Sequence, residues 1–257
     1  MRVATIAVHT FKESVRQKVL YNLVAFALLL IGASVLFGSI SVGVEQIILI
    51  TLGLSSISAF GLLIAIFIGI DLVSKEIEHR TIYNILSKPV TRVEFILGKY
   101  LGLVLTLLVN TAIMTVGFYG ALFYQKRALG LGDLVFLGAV YFILLQLAIV
   151  VGIAMVFSCI STPVLSAVYT FCIYVIGNFS ADLRTFGQGT QSALLGTMSD
   201  ALYYLLPNFA NFNVISQVAH SQSIPGYLWL GNSCYALLYI TILLGLAIII
   251  FEEREFR

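Results

Sequence analysis

The sequence predicts an all-α integral membrane protein with six transmembrane helices, and three observations predict it. Sixty per cent of its 257 residues are hydrophobic and only 10% are charged, at a mean hydropathy of +1.03, far outside the range of soluble globular domains. Apolar runs recur at the roughly 20 residues a helix needs to cross the bilayer hydrocarbon. The basic residues fall unevenly about those runs, which sets an orientation.

In order along the chain, residues 1–18 precede the first run. Ala4, Val8, Phe11, Val15 and Val19 recur at helical spacing, with Lys12, Glu13, Arg16, Gln17 and Lys18 between them. That pattern predicts an amphipathic helix lying at the membrane interface. The first run is of full span length and lacks a small-residue cleavage site, so this region is expected to be retained as a helix and not removed as a signal peptide. Spans are predicted at 19–40, 47–70, 97–124, 132–158, 163–181 and 228–251, with the whole chain, 1–257, forming a single transmembrane domain. Pro163 would open the fifth span, and no proline falls inside a span, so none requires a kink. Residues 182–227 form the longest connection. They mix aromatics with amides around Pro207-Asn208-Phe209-Ala210-Asn211-Phe212-Asn213, as in a short helix or hairpin dipping toward the membrane, or a surface loop with one short helix.

Eleven of the 14 basic residues (Arg2, Lys12, Arg16, Lys18, Lys75, Arg80, Lys88, Arg92, Lys99, Arg254 and Arg257) lie on one side of this arrangement, against Lys126, Arg127 and Arg184 on the other. The richer side is expected to be cytoplasmic, together with both termini and the segment 71–99. Nothing in the charge pattern points to nucleic acid, whereas membrane lipids are an expected partner.

Motifs of self-contained chemistry are missing from the sequence. His9, His79 and His220 are isolated, and Cys159, Cys172 and Cys234 fall in or near different spans without a CxxC pattern. The Gly98-Lys99 pair has Val93 where a phosphate-binding loop needs its first glycine. No catalytic residue, metal or cofactor is therefore assigned to this chain. Of the 12 acidic residues, Asp71 and Asp133 stand at span ends and the other ten lie outside the spans, which weakens an ion-gradient-driven carrier, since such proteins place acids in the membrane. Mild polar groups do occur inside the spans, at Ser55, Ser56, Ser58, Thr106, Asn110, Thr111, Thr115, Gln146, Asn232 and Ser233. Helix-to-helix hydrogen bonding is their expected role, with Asn110 and Gln146 as candidates for a translocation path.

The charged segment 71–99 is the most specific part of the sequence. Glu76 and Arg80 are four apart, the spacing of one helical face. Residues 81–86 are largely apolar, and Ser87-Lys88-Pro89 stops a helix. A second short helix is expected from Thr91, an N-cap with Glu94 three residues on. Gly98 and Gly102 then present a small face as the third span begins.

Glu76, Thr81, the run Leu86-Ser87-Lys88-Pro89-Val90-Thr91-Arg92-Val93-Glu94 and Gly98-Lys99 resemble, in order, the segment between the second and third spans of type-2 ABC transporter permeases. Arg80 stands where that family usually has glycine. The six-span layout, N-terminal interfacial helix, long fifth connection and charged end Glu252-Glu253-Arg254-Glu255-Phe256-Arg257 agree. The resemblance implies that 76–86 is a coupling helix seated in a separate ABC ATP-binding subunit, with Glu76, Arg80, Thr81, Leu86, Ser87, Pro89, Arg92 and Glu94 serving ATPase coupling. It further implies a dimer with a second permease copy or a related chain, ATP and Mg in the partner subunit, export as the direction, and a bacterial or archaeal cell (inner) membrane. The family includes permeases of nitrous-oxide reductase maturation systems, so a scaffold in a maturation or assembly system stands as an alternative beside the ion-driven carrier.

Overall fold

A computed structural model of the protein describes residues 2–41, 43–78, 91–128, 130–189 and 193–254. Among them are ten α-helices and two short 3-10 turns, and no strand. In chain order the helices are α1 (Arg2–Val15), α2 (Lys18–Ile40), α3 (Glu45–Glu78), α4 (Arg92–Lys126), α5 (Val135–Ile160), α6 (Pro163–Asn178), α7 (Ser180–Gly189), α8 (Ala193–Leu205), α9 (Ile215–Ala219) and α10 (Gly226–Arg254). Five are long and apolar enough to cross a membrane: α2, the Glu45–Ile70 part of α3, α4, α5 with its leading turn, and α10.

Helix α5 is the hub. It packs against α3, α4, α6 and α10, and 67% of its apolar window is buried, against 28% for α2 and 22% for α10. Those two peripheral helices turn Leu29, Leu36, Ile40, Leu230 and Leu237 outward, as expected of side chains that meet lipid. Close approach inside the bundle depends on glycines of α3 eight residues apart. A Cβ at Gly53, Gly61 or Gly69 would lie 2.5–2.6 Å from Phe118, Leu147 or Ala154 respectively. The glycines thus admit side chains of α4 and α5 at close range, the packing that membrane helices rely on.

Three expectations are corrected. The fifth span was expected over 163–181, whereas α6 ends at Asn178 after 16 residues, so its bounds are shorter than expected. It does begin on Pro163 at its first position, and it ends because Phe179 leaves the helical conformation at φ −96°, ψ 8°. A separate short helix before the third span does not exist: α4 runs unbroken for 35 residues from Arg92. The polar residues of that span do not tie helices together. Thr106, Asn110, Thr111 and Thr115 each donate to the carbonyl four residues earlier in their own helix, at 2.6–2.9 Å, which satisfies each group within the helix.

The apolar stripe expected to rest on the membrane interface is left outward on α1, where Val8 is about half exposed, while Val19 falls in α2. Val3, Ile6, Ala7 and Thr10 instead lie against α4, where a Cβ at Gly98 would meet Ile6 Cβ at 2.7 Å and one at Gly102 would meet the Ala7 carbonyl at 2.6 Å. Thr10 and Ser14 are fully buried. An advance from Gly98 to Gly102 matches an advance from Val3 and Ile6 to Ala7 and Thr10, so the two helices run in the same direction. The outward stripe is thereby left to face lipid.

At the opposite end of the bundle, α7 and α8 form a helical hairpin joined by Arg184, whose Nε donates to Asp200 Oδ1 at 2.9 Å. That bond pushes the guanidinium pKa further up, and the group also lies 4.5 Å from the Tyr203 ring centre. The chain then turns inward. Phe209 and Phe212 are buried against α5 and α6, and a Cβ at Gly177 would sit 2.5 Å from the Pro207 carbonyl. The backbone here is held by side chains of α10: the Asn208 N–H donates to Tyr235 Oη at 2.9 Å, Asn232 Nδ2 donates to the Asn211 carbonyl at 2.8 Å, and the Tyr239 hydroxyl donates to the Leu205 carbonyl at 3.1 Å. Non-helical backbone inside a membrane protein needs such shielding.

Candidate functional site

Two continuous helices carry the chain to and from the charged segment. Helix α3 holds 34 residues, about 51 Å at 1.5 Å per residue, which exceeds the roughly 30 Å of hydrocarbon. Its apolar span stops at Ile70 and the helix continues to Glu78. Glu76 therefore sits on a helical overhang, with its side chain outside the described part. Arg80, Thr81, Leu86, Ser87 and Pro89 lie outside the described residues.

The return begins at Thr91. Its hydroxyl accepts from the Glu94 N–H at 3.3 Å, and Glu94 Oε2 accepts from the Thr91 N–H at 3.0 Å. This capping box satisfies two donors that a helix start leaves orphaned. Arg92 opens the helix immediately behind it. Replacement of Thr91 by alanine is expected to lower the stability of the chain by about 1 kcal/mol, readable as a reduced thermal midpoint of the detergent-purified protein.

Behind the cap, Lys99 is buried. A charged amine in such a place needs compensation, and its Nζ lies 5.0 Å from the Phe95 ring centre, a cation–π contact. Phe95 in turn stacks on Phe251 of α10 at 5.9 Å. Two bonds reach α5 from this level: the Tyr100 hydroxyl donates to the Ala148 carbonyl at 3.1 Å, and Ser158 Oγ donates to the Ile70 carbonyl at 3.2 Å. The root of each arm is thus locked into the bundle. Sequence reasoning identified Gly98, Lys99 and Gly102 but missed Tyr100 and Ser158, since neither a lone tyrosine nor a lone serine at a span end signals which carbonyl it reaches.

The two path candidates are not brought together. Asn110 is bonded to its own helix, and Gln146 is buried in the packed middle of α5. Neither lines the described cavities, which lie at the ends or on the outer faces of the bundle. A cavity of about 320 Å³ lies at the far end beside Lys126, whose ammonium pairs with Asp133. Asp133 also accepts from the Gly130 N–H at 2.9 Å, and the Tyr119 hydroxyl donates to the Asp133 carbonyl at 2.8 Å.

Among the described residues no group of three or more His, Cys, Asp and Glu is placed to hold a metal ion, and all three cysteines are free. A family model described as ABC-2 family transporter protein matches residues 4–256. The chain belongs to the ABC-2 transporter family. It is therefore an integral membrane permease of the ABC transporter class, a transport subunit of a kind that generally lacks an ATPase motif of its own. No curated protein matches this ABC-2 chain.

Proposed function

We propose that the chain is the membrane-spanning subunit of an ATP-driven exporter, working as a dimer and coupled through 76–94 to separate ATP-binding subunits that hold ATP and Mg. The observation that carries this reading is the pair of arms: α3 outruns its span, α4 starts on a capping box, and between them the sequence places Glu76, Arg80, Thr81, Leu86, Ser87 and Pro89 where a partner could bear on them. Rigid helices rooted at Ile70, Lys99 and Tyr100 transmit a push at the tip into the bundle. ATP bound to the partner is then the ligand whose differential affinity shifts the equilibrium between access states.

The packing supports the dimeric reading. Helix α5 fills the middle of the chain, and the glycines of α3 are occupied by Phe118, Leu147 and Ala154, so a path is better placed between two copies than through one. We assign both termini and the arms to the cytoplasm of a bacterial or archaeal cell, on the sidedness of Lys and Arg. In this reading α6 completes six crossings, with the α7 to α9 segment covering its outer end. An ion-gradient-driven carrier is disfavoured because the acids within the five long spans stand at their ends, at Glu45, Glu94, Asp133 and Glu252.

The test is purification from native membrane in mild detergent. A co-purifying subunit with a phosphate-binding loop, and ATP hydrolysis in the complex, is expected. Recovery of the chain alone without hydrolysis contradicts the proposal.

A further inference from the structure

At the end of the bundle where α3 overhangs, α2, α3 and α6 leave a groove of about 640 Å³ between them. Its walls are apolar: Val19 of α2, Phe67 and Ile70 of α3, and Pro163, Val164 and Ala167 of α6. Val164 is 74% exposed, so the groove opens sideways as well as at its end. Its mouth is different. Gln17 and Lys18 line it, and among the described residues Lys18 forms no ion pair. Lys12 of α1 and Arg16 in the turn that follows it are likewise exposed and without an acid partner there.

We infer that this groove is a binding site for one anionic phospholipid, its acyl chains against Val19, Phe67 and Val164 and its phosphate at Lys18. The inference rests on the sidedness given above, which places the site in the cytoplasmic leaflet. A large apolar cleft with a few polar groups at one edge is the usual form of a small-molecule site, and basic pockets between helices at the cytoplasmic face suit anionic headgroups. The field at the mouth is reinforced by two helix starts. Both α2 and α6 begin there without a side-chain cap and without an acid in the first turn, so their positive ends are unopposed. The outward stripe of α1 lies just before this mouth and faces the same lipid layer. A second copy of the chain fits less well, because a two-fold contact across the groove would bring a second Lys18 to the first, a like-charge contact.

Native mass spectrometry of the full-length chain, purified from nanodiscs of mixed phosphatidylglycerol and phosphatidylethanolamine, tests this directly. The wild type is expected to retain one phosphatidylglycerol per chain in preference to phosphatidylethanolamine. Lys18→Gln is expected to reduce that preference about fivefold, the effect of one basic group at an anionic surface. Ala167→Trp, which fills the groove, is expected to remove both lipids, and elution as a single symmetric species checks that each variant is folded. Equal retention of the two lipids by the wild type, or unchanged preference in Lys18→Gln, overturns the inference. So does a disulfide between two copies carrying Val164→Cys, since it puts protein where the lipid belongs. The lipid readout needs no ATPase, so a retained preference in a chain that recruits no ATP-binding subunit would keep the site and remove the transporter reading.

Discussion

Replacement of Gly102 by leucine is expected to dislodge α1 from α4. A Cβ at this position would lie 2.6 Å from both the Ala7 carbonyl and Thr10 Cβ, and neither backbone nor a buried β-carbon can swing aside. Overpacking of this kind costs about 1–3 kcal/mol, and a leucine side chain adds more atoms beyond the first clash. The gain from removing a mid-helix glycine, up to about 1 kcal/mol, does not offset it. Gly120 of the same helix supplies the control, because nothing lies within 4 Å of its Cβ position. Thermal unfolding of Gly102→Leu should fall well below that of Gly120→Leu, and proteolysis within residues 1–18 should accelerate only in the former. Equal behaviour of the two variants would show that α1 does not depend on this seat.

The contrast between α1 and α4 explains how far the sequence could be read. The cap at Thr91 and Glu94 was legible because its two hydrogen bonds are local and three residues apart. So were the helical class and the long spans, which follow from runs of apolar residues and from length. The burying face of α1 was not. Hydrophobicity marks the stripe containing Val8 and Phe11, expected on the membrane interface, but gives no sign that the stripe containing Ala7, Thr10 and Ser14 packs on a neighbouring helix. In a membrane protein the more apolar face belongs to lipid, and the face with small side chains belongs to the neighbouring helix. The two glycines that receive α1 were visible as a small-residue pair, but the sequence did not say which helix they receive.

The inward turn of Phe209 and Phe212 was hidden for a different reason. Its stability comes from Tyr235, Asn232 and Tyr239, more than 20 residues away on α10, and no local pattern reports such partners. Among the candidate site residues, Glu94 is engaged in its cap and Asn110 in its own helix, while Glu76 lies on the overhang of α3.

Glu76→Ala and Arg80→Glu are expected to have the second large effect. Membrane insertion should be unchanged, because both positions lie beyond Ile70, where the apolar span ends. Transport driven by ATP should fall about 5-fold to 150-fold, the range of a coupling free energy of 1–3 kcal/mol, while ATP hydrolysis by the assembled complex continues without its dependence on cargo. Reconstituted vesicles in which uptake and hydrolysis are measured together would separate the two. Both variants transporting at the wild-type rate, at equal expression, would take the coupling role away from these residues.

The central claim is that the segment between α3 and α4 touches an ATP-binding subunit. The most direct measurement places a photoactivatable cross-linker at Thr81, and in a separate variant at Lys126, in the native membrane. Capture of a polypeptide with a nucleotide-binding loop from Thr81 and not from Lys126 is the predicted result. Capture from Lys126 alone, or from neither position in cells that express the chain normally, would contradict it.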